Sequence, residues 1–194
     1  MTAVPKIELV SIEDYLDGEL RSLVKHEYLG GTVYAMAGAR NVHNDVATNL
    51  LIAIGSQLRG RPCRVLNSDT KVRLRLPTQT RFYYPDAMVV CRSNPPTDTF
   101  QDNPVVIAEV MSETTRRIDE GEKKDAYLTI PSLTAYLLID TDRPRVVVYR
   151  RAETLFIPEL HEGRDASVAL DDVGCSIPLA ELYERVDFPT TAAS

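Results

Sequence analysis

The sequence has no apolar run that approaches the roughly 20 residues needed to span a bilayer. Its N-terminal stretch, MTAVPKIELVSIEDY, has no basic segment followed by an apolar one, so it predicts no secretory signal. Internal repeats and low-complexity tracts are also absent. We therefore predict a cytoplasmic protein without membrane contact. The length of 194 residues suits a single domain over residues 1–194, with a core at about 11–186 and a frayed C-terminal tail.

Cysteine is scarce and widely spaced. Cys63, Cys91 and Cys175 form no Cys-x-x-Cys pair. A zinc site needs clustered ligands, and disulfide scaffolds are dense in cysteine. We expect three buried free thiols in a reducing compartment.

The chain lacks the excess of basic residues typical of a broad nucleic-acid interface, since its net charge is −6. The distribution is uneven, because residues 59–92 carry 8 basic and 2 acidic groups while residues 93–194 carry 10 and 19. A basic middle segment could hold a phosphate backbone locally. The simpler alternative is that Lys71, Arg73 and Arg75 form the solvent face of a strand.

Apolar periodicity predicts an α/β protein in which short strands and helices alternate. An apolar residue every fourth position predicts a helix from Arg40 to about Leu58, and Gly30-Gly31 predicts the turn of a hairpin over residues 26–38. Ser11 is a suitable N-cap for a first helix. The other predicted helices cover residues 11–24, 112–131 and 177–186, and the other predicted strands lie within 61–76, 83–90, 105–111, 134–151 and 154–160.

Two carboxylates interrupt strands that should be buried. Asp86 lies in YYPDAMVV (83–90), on the same predicted face as Tyr84 and Met88, and Glu109 lies in VVIAEVM (105–111). Ionised side chains in such surroundings are costly to desolvate unless they are paired or bind a cation. We expect the two strands to be adjacent.

A lysine belongs to the same candidate site. Asp119, Lys123 and Tyr127 are spaced by four residues on one helical stripe, which turns Lys123 toward the sheet. Two carboxylates and a lysine at a cleft suit magnesium-assisted hydrolysis of a phosphodiester. The spacing is equally compatible with carboxylates paired to arginines and with an ion pair between Lys123 and Asp119 across one turn.

Two further polar residues lie outside this stretch. Glu27 begins the predicted hairpin, where a glutamate is most often simply solvated. His43 falls in the first turn of the predicted helix, beside its apolar stripe. Such a histidine is usually structural, and a substrate-contacting role is the alternative.

A Pro-Asp pair, followed about twenty residues later by a glutamate that closes an apolar strand, resembles the PD-(D/E)xK nuclease superfamily. More narrowly, the chain resembles the Uma-type family of restriction-endonuclease-like proteins. The matching stretches span most of residues 11–151; they are EYLGGTVYAMAGARNVHN (27–44), the PD of YYPDAMVV, VVIAEVMSETT (105–115), DEGEKKDAY (119–127) and TAYLLID (134–140).

The resemblance implies a mixed β-sheet flanked by helices and a DNA endonuclease that uses Mg²⁺, with Mn²⁺ as a substitute. It implies that Asp86 and Glu109 are metal ligands, that Lys123 is the motif lysine and that Glu27 is a further catalytic acid. His43, Lys124 and Tyr127 are expected as substrate contacts. Nucleic acid is the expected partner, and a homodimer is allowed.

The chain departs from the family pattern at the lysine. Met111 stands two residues after Glu109, where the superfamily usually has its lysine, so either Lys123 or Lys124 takes that part. Glu113 replaces a frequent proline, and Gly30 an aspartate. Two other hypotheses stay open: a nuclease-fold module that binds DNA or protein without turnover, and a structural protein whose carboxylates pair with arginines.

Overall fold

The apolar segments form three β-sheets in a computed structural model that describes residues 9–112 and 115–188. Glu113 and the predicted frayed tail after Pro189 lie outside these ranges. The helices are α1 (Ile12–Glu19), α2 (Asn41–Gln57), α3 (Arg116–Ile118), α4 (Lys124–Tyr127) and α5 (Leu179–Leu182). A π-helical turn (Asp119–Lys123) joins α3 to α4, and a 3₁₀ turn covers Asp171–Val173.

The strands follow the predicted order with additional breaks. They are β1 (His26–Leu29), β2 (Thr32–Ala35), β3 (Arg64–Asn67), β4 (Lys71–Arg75), β5 (Thr80–Tyr83), β6 (Ala87–Val90), β7 (Phe100–Gln101), β8 (Pro104–Met111), β9 (Ala135–Asp140), β10 (Arg145–Ala152), β11 (Leu155–Glu162), β12 (Ser167–Leu170) and β13 (Cys175–Pro178).

The largest sheet has six strands in the order β11-β10-β9-β8-β6-β3. It is mixed, because β8 and β9 run parallel while the other neighbours are antiparallel. β8 and β9 lie at its centre and are almost entirely buried, as their continuous apolar sequences predict.

A five-stranded sheet, β2-β1-β5-β4-β7, packs against one face of the six-stranded sheet. Val72 and Tyr83 of the smaller sheet share a core with Met88, Ile107 and residues of α4. The opposite face is covered by α2, α5 and the β12–β13 ribbon. The predicted fold class, a mixed sheet flanked by helices, is confirmed.

The predicted amphipathic helix is α2. Its apolar stripe is buried on the sheet at Val46, Leu50 and Ile54. Ser11 caps α1 as predicted, because its Oγ accepts a hydrogen bond from the Asp14 backbone N–H. These local signals predicted both helices, although α1 ends at Glu19 rather than at residue 24.

The predicted single strand over residues 83–90 is wrong. β5 ends at Tyr83 in the five-stranded sheet, and β6 begins at Ala87 in the six-stranded sheet. Pro85 has no N–H to donate to a ladder, so the chain changes sheets there. Asp86 therefore lies in the crossing segment, immediately before β6, rather than on a shared strand face with Tyr84.

The expectation of a wet basic strand face is also wrong for two of its three residues. Lys71 is only 4% exposed, and Arg73 forms a bidentate ion pair with Asp102 at 2.7 Å. Only Arg75 is exposed. Most of the positive charge of β4 is therefore directed to specific partners or to the interior.

The predicted helix over residues 112–131 contains an irregularity. The π-helical turn widens it where Asp119 and Lys123 are buried, and α4 ends at Tyr127, before Pro131. Such π turns are uncommon overall, but those that occur are often found at functional sites. Among the helices of the described ranges, none is both long and apolar enough to cross a membrane.

The prediction of three free thiols is wrong. Cys63 and Cys91 form a disulfide, because the antiparallel pairing of β3 with β6 places them opposite each other just beyond Arg64 and Val90. Only Cys175 is a buried free thiol. The cytoplasmic location stays a prediction, although disulfides are more common in oxidising compartments.

We predict that unfolding without reductant exposes one alkylatable thiol, and that prior reduction exposes three. Reduction should lower the free energy of unfolding by about 3 kcal/mol, since the bond closes a loop of 28 residues. Mass spectrometry after alkylation and denaturant titration measure the two effects. Three reactive thiols in the unreduced chain would contradict the disulfide.

Candidate active site

The register of β6 and β8 brings the two predicted carboxylates together. Ala87 pairs with Ala108, so Asp86 and Glu109 follow as the next opposed positions. The Asp86 Oδ2 accepts a hydrogen bond of 2.7 Å from the Val110 backbone N–H, which fixes its carboxylate against β8. The predicted adjacency is confirmed.

Lys123 lies at the centre of a group of acids. Its Nζ is 2.9 Å from the Glu27 Oε1, 3.5 Å from the Glu109 Oε1 and 3.8 Å from the Asp119 Oδ1. The ammonium also lies 5.5 Å from the centre of the Tyr83 ring. We call Glu27, Asp86, Glu109, Asp119 and Lys123 the acidic cluster.

The helical stripe predicted around Lys123 is present. Asp119 belongs to the cluster, although the sequence predicted it only as a possible ion-pair partner of Lys123. Its spacing of four residues from Lys123 was the available signal. Asp119 is buried, and its backbone carbonyl accepts a hydrogen bond from the Tyr136 hydroxyl at 3.0 Å. This contact secures the π-helical turn to β9.

Tyr127 holds Glu109 in place. Its hydroxyl donates a hydrogen bond of 2.8 Å to the Glu109 Oε1, and the side chain is fully buried between Tyr83 and Tyr136. Tyr127 therefore has no free surface with which to touch a substrate, contrary to the expectation. We assign it to orienting Glu109.

His43 contacts the other metal-ligand candidate. Its Nε2 is 3.2 Å from the Asp86 Oδ2, which connects the first turn of α2 to the crossing segment. Burial lowers the pKa of His43, but its contact with Asp86 more than offsets this, so the pKa is raised. The His43 Nδ1 is buried, and within the described chain it has no hydrogen-bond partner.

The two candidate lysines point in different directions. The Lys124 Nζ lies 5.3 Å from the centre of the Tyr149 ring and 4.0 Å from the Asp125 Oδ1. In the part of the chain that the structure describes, it forms no ion pair with the acidic cluster. Position therefore favours Lys123 as the motif lysine.

The acidic cluster carries more negative charge than its lysine can balance. The cluster contains four carboxylates and one ammonium, and Glu109 is only 4% exposed. Burial, followed by the charges of Asp119, Asp86 and Glu27, raises the pKa of Glu109 well above its ordinary value. Burial is also the main cause of the raised pKa of Asp119. The site therefore favours binding a proton or a cation.

The Lys123 pKa is shifted in the opposite direction from that of an isolated buried lysine. Burial alone would lower it, but Glu109, Glu27 and Asp119 raise it above its usual value. Lys123 is therefore a permanent cation near neutral pH and acts as a hydrogen-bond donor rather than a base.

The donor set fits magnesium chemistry. Among the described residues, no group of three or more His, Cys, Asp or Glu side chains has the spacing to hold a metal. Magnesium commonly takes one or two carboxylates and completes its shell with water and substrate phosphate. Asp86 and Glu109 suit that mode, because they offer hard carboxylate oxygens from opposed positions in a cluster with excess negative charge.

The arginine-paired alternative does not describe this site. Within residues 9–112 and 115–188, Asp86 and Glu109 form no ion pair with an arginine, and their charged contacts are His43 and Lys123. The buried arginine-paired acid is instead Asp140, which contacts Arg116 at 2.7 Å. A structural ion pair therefore exists in this fold, but at another position.

A mixed sheet that places two adjacent carboxylates beside a helical lysine defines a protein of the restriction-endonuclease-like class. The profile of the Uma2 family, described as "Putative restriction endonuclease", matches residues 12–180. The chain therefore belongs to the Uma2 family, as the sequence resemblance predicted.

Two relatives come from Synechocystis sp. The uncharacterized protein slr1290 is 29% identical over 180 residues, which cover 92% of this chain and 94% of that protein. The uncharacterized protein sll1609 is 32% identical over 154 residues, which cover 78% and 86%.

A solved structure supports the fold. The crystal structure of "a putative nuclease belonging to DUF820" from Anabaena variabilis superposes with a TM-score of 0.69 at 17% identity, covering 89% of this chain and 98% of that one. The similarity shows that the two chains share the restriction-endonuclease-like fold.

We predict that Glu109→Gln is more stable than the wild type and that the difference grows as pH rises from the ordinary pKa of a glutamate toward the raised folded-state pKa. The pKa of Glu109 is higher in the folded than in the unfolded chain, so folding favours its protonated form. Its contribution to the free energy of unfolding is therefore lost as pH rises through the folded-state pKa. Denaturant titrations across this range measure the difference.

The matched control is Glu181→Gln, since Glu181 is exposed and forms no ion pair within the described ranges. This control should change stability little at any of these pH values. A Glu109→Gln variant that loses stability as pH rises, relative to the wild type, would show that Glu109 is stabilised as an anion instead.

Proposed function

We propose that the protein is a metal-dependent nuclease that hydrolyses phosphodiester bonds in nucleic acid, with DNA as its substrate. The observation that carries this proposal is the acidic cluster, in which three carboxylates lie 2.9–3.8 Å from the Lys123 ammonium and Asp86 lies opposite one of them, Glu109. Membership of the Uma2 family supports the reaction class. The preference for DNA rests on the family resemblance.

Asp86 and Glu109 would hold Mg²⁺, or Mn²⁺ in its place. When bound, the metal would polarise the phosphoryl oxygen and lower the pKa of a coordinated water. Asp86 is held by the Val110 N–H, and Glu109 by the Tyr127 hydroxyl. Both carboxylates are thus oriented before any cation arrives.

Lys123 would orient the attacking water and offset negative charge that develops on the phosphate. Because its pKa is raised, it keeps its proton and donates hydrogen bonds throughout. Glu27 contacts the ammonium at 2.9 Å and positions it. This contact gives Glu27 a defined part in the site, although it comes from the other sheet.

His43 would orient Asp86 rather than bind substrate directly. The Nε2 is within hydrogen-bond distance of the Asp86 Oδ2. The Nε2 donates a hydrogen bond to the carboxylate, and this contact raises the pKa of the ring. A homodimer stays a prediction, and the proposed site needs no residue from a second chain.

We predict that Asp86→Asn, Glu109→Gln and Lys123→Met each reduce magnesium- or manganese-dependent cleavage of DNA at least about a hundredfold. Asp86→Asn and Glu109→Gln remove ligand charge while keeping shape, and Lys123→Met keeps the buried stem. Gel assays on single-stranded and double-stranded DNA and on RNA measure cleavage. Calorimetric titration with Mn²⁺ measures whether the two carboxylate variants lose cation binding.

Lys124→Met is the matched control, because Lys124 follows Lys123 but contacts Tyr149 outside the cluster. It should cleave like the wild type. Equal cleavage by the wild type and both carboxylate variants would refute the assignment. Nucleic-acid binding without cleavage or cation binding would support the alternative of a nuclease-fold binding module.

A further inference from the structure

A cavity of about 680 Å³ lies beside the acidic cluster rather than within it. It is enclosed by the segment that follows α1, the turn between β3 and β4, and the loop around Pro95. Its volume falls within the range of about 300–1,000 Å³ that is typical of small-molecule sites. The proposed cleavage chemistry does not use it.

A buried lysine forms part of the cavity wall. Lys71 is only 4% exposed, and its Nζ donates a hydrogen bond of 3.1 Å to the Tyr84 hydroxyl. No carboxylate of the described residues lies within 4.0 Å of this ammonium. An ammonium has three protons to donate, and a buried cation without an anion is costly. Burial lowers the pKa of Lys71, and the charge of Glu19, which the Tyr84 hydroxyl links to Lys71, offsets only part of this effect.

The acids that line the cavity are already engaged. Asp69 pairs with Lys25 at 2.6 Å. Glu19 accepts hydrogen bonds from the Tyr84 hydroxyl at 2.7 Å and from the His26 backbone N–H at 3.2 Å, and it also contacts the His26 ring.

The third acid, Asp98, accepts a hydrogen bond from the Asn94 side chain at 3.1 Å. Arg64 is exposed at the rim and, within the ranges that the structure describes, forms no ion pair. Within the described ranges, Lys71, Arg64 and Asp98 are therefore the charged groups of the cavity that form no ion pair, and two of these three are cations.

Part of the rim is apolar. Leu20, Leu23 and Val24 are exposed where the chain leaves α1, and Leu23 is exposed completely. Pro95 and Pro96 add apolar surface to the cavity lining. The cavity thus combines two unpaired cations, and one unpaired acid at Asp98, with an apolar wall. A nucleotide presents the matching combination of phosphate and base.

Two chain segments connect the cavity directly to the acidic cluster. Lys25 and Tyr84 line the cavity, while Glu27 and Asp86 stand two residues further along. Two residues of extended chain span at most about 7 Å. Along one strand of a duplex, phosphates advance by about 3.4 Å. A phosphate in the cavity would thus lie within a few nucleotides of the cluster.

We infer that this cavity binds the phosphate group of a nucleotide, with Lys71 as its buried donor and Arg64 at its rim. The idea that this phosphate belongs to the strand to be cleaved, rather than to a free nucleotide, rests on the proposed function. The existence of the phosphate site does not depend on it. It is a second site, adjacent to the proposed metal site, and its proposed ligand contacts are cations rather than carboxylates.

The test is calorimetric titration of the whole protein, without divalent metal, with thymidine 5′-monophosphate and with thymidine. The monophosphate should bind, and thymidine at least about tenfold more weakly, because charge-assisted hydrogen bonds to the phosphate are lost. Lys71→Met should weaken monophosphate binding by about ten- to a hundredfold. Lys124→Met, a lysine outside the cavity, should leave binding unchanged.

A charge swap at the rim tests the same site without touching the core. Leu23 is fully exposed, so substitutions there leave the fold intact. Leu23→Glu should weaken monophosphate binding about two- to fivefold and Leu23→Lys should strengthen it by a similar factor. The same substitutions at Leu155, an exposed leucine of β11, should have no effect.

The outcomes separate this inference from the proposed nuclease. Equal binding of monophosphate and thymidine, or no response to the charge at Leu23, would overturn the phosphate site even if DNA is cleaved. Binding that depends on Lys71 in a protein that cleaves nothing would support it alone. Asp86→Asn should retain binding. An oligonucleotide without a terminal phosphate distinguishes a strand from a free nucleotide, since a strand source requires its internal phosphates to displace the monophosphate.

Discussion

The contact of the Lys123 ammonium with three carboxylates is the interaction on which the arrangement of this fold depends. Glu27 comes from the five-stranded sheet, Glu109 from the centre of the six-stranded sheet, and Asp119 from the π-helical turn. Each of these groups would be costly to bury alone, and the shared ammonium offsets part of that cost. Because the partners belong to different elements, the same contact fixes both sheets and the helix at the point where the chain crosses between sheets.

One ammonium cannot neutralise the whole acidic cluster, and this imbalance links stability to function. Asp86 is held by the Val110 N–H and contacts His43, but it adds a fourth negative charge beside a nearly inaccessible Glu109. A site that raises carboxyl pKa values in this way is less stable without a cation than an apolar core of the same size. Such local instability is common where binding requires prearranged charge. The supporting hydrogen bonds from Tyr127 and Val110 keep the charges in place despite that cost.

Sequence patterns determined the parts of the fold that local periodicity controls. The four-residue stripe predicted α2, the continuous apolar run predicted β8 as central, and the spacing of Asp119, Lys123 and Tyr127 predicted the buried helical face. The incorrect predictions concern features that depend on which strands pair in the tertiary structure. A period of two cannot show that the chain changes sheets at Pro85, so residues 83–90 were predicted as one strand. The Cys63–Cys91 bond and the burial of Lys71 likewise depend on which strands become neighbours. The π-helical turn also could not be predicted, because no apolar periodicity in this sequence distinguishes it from an ordinary α-helix.

The separation of charge in this protein addresses a difficulty that any acidic nuclease site shares. A cluster of carboxylates repels the polyanion it would act on, and a net charge of −6 gives no general attraction to overcome that repulsion. The attraction between the protein and a polyanion must then come from local groups of positive charge. Lys71 and Arg64 place unpaired positive charge at a cavity that Lys25 and Tyr84 connect to the cluster within two residues. Asp69 pairs with Lys25, and Glu19 accepts a hydrogen bond from Tyr84. Asp98 accepts one from Asn94, so within the described ranges none of these three acids forms an ion pair with Lys71 or Arg64. On the proposed function, a strand held at Lys71 by one phosphate would present another to the carboxylates a few nucleotides away.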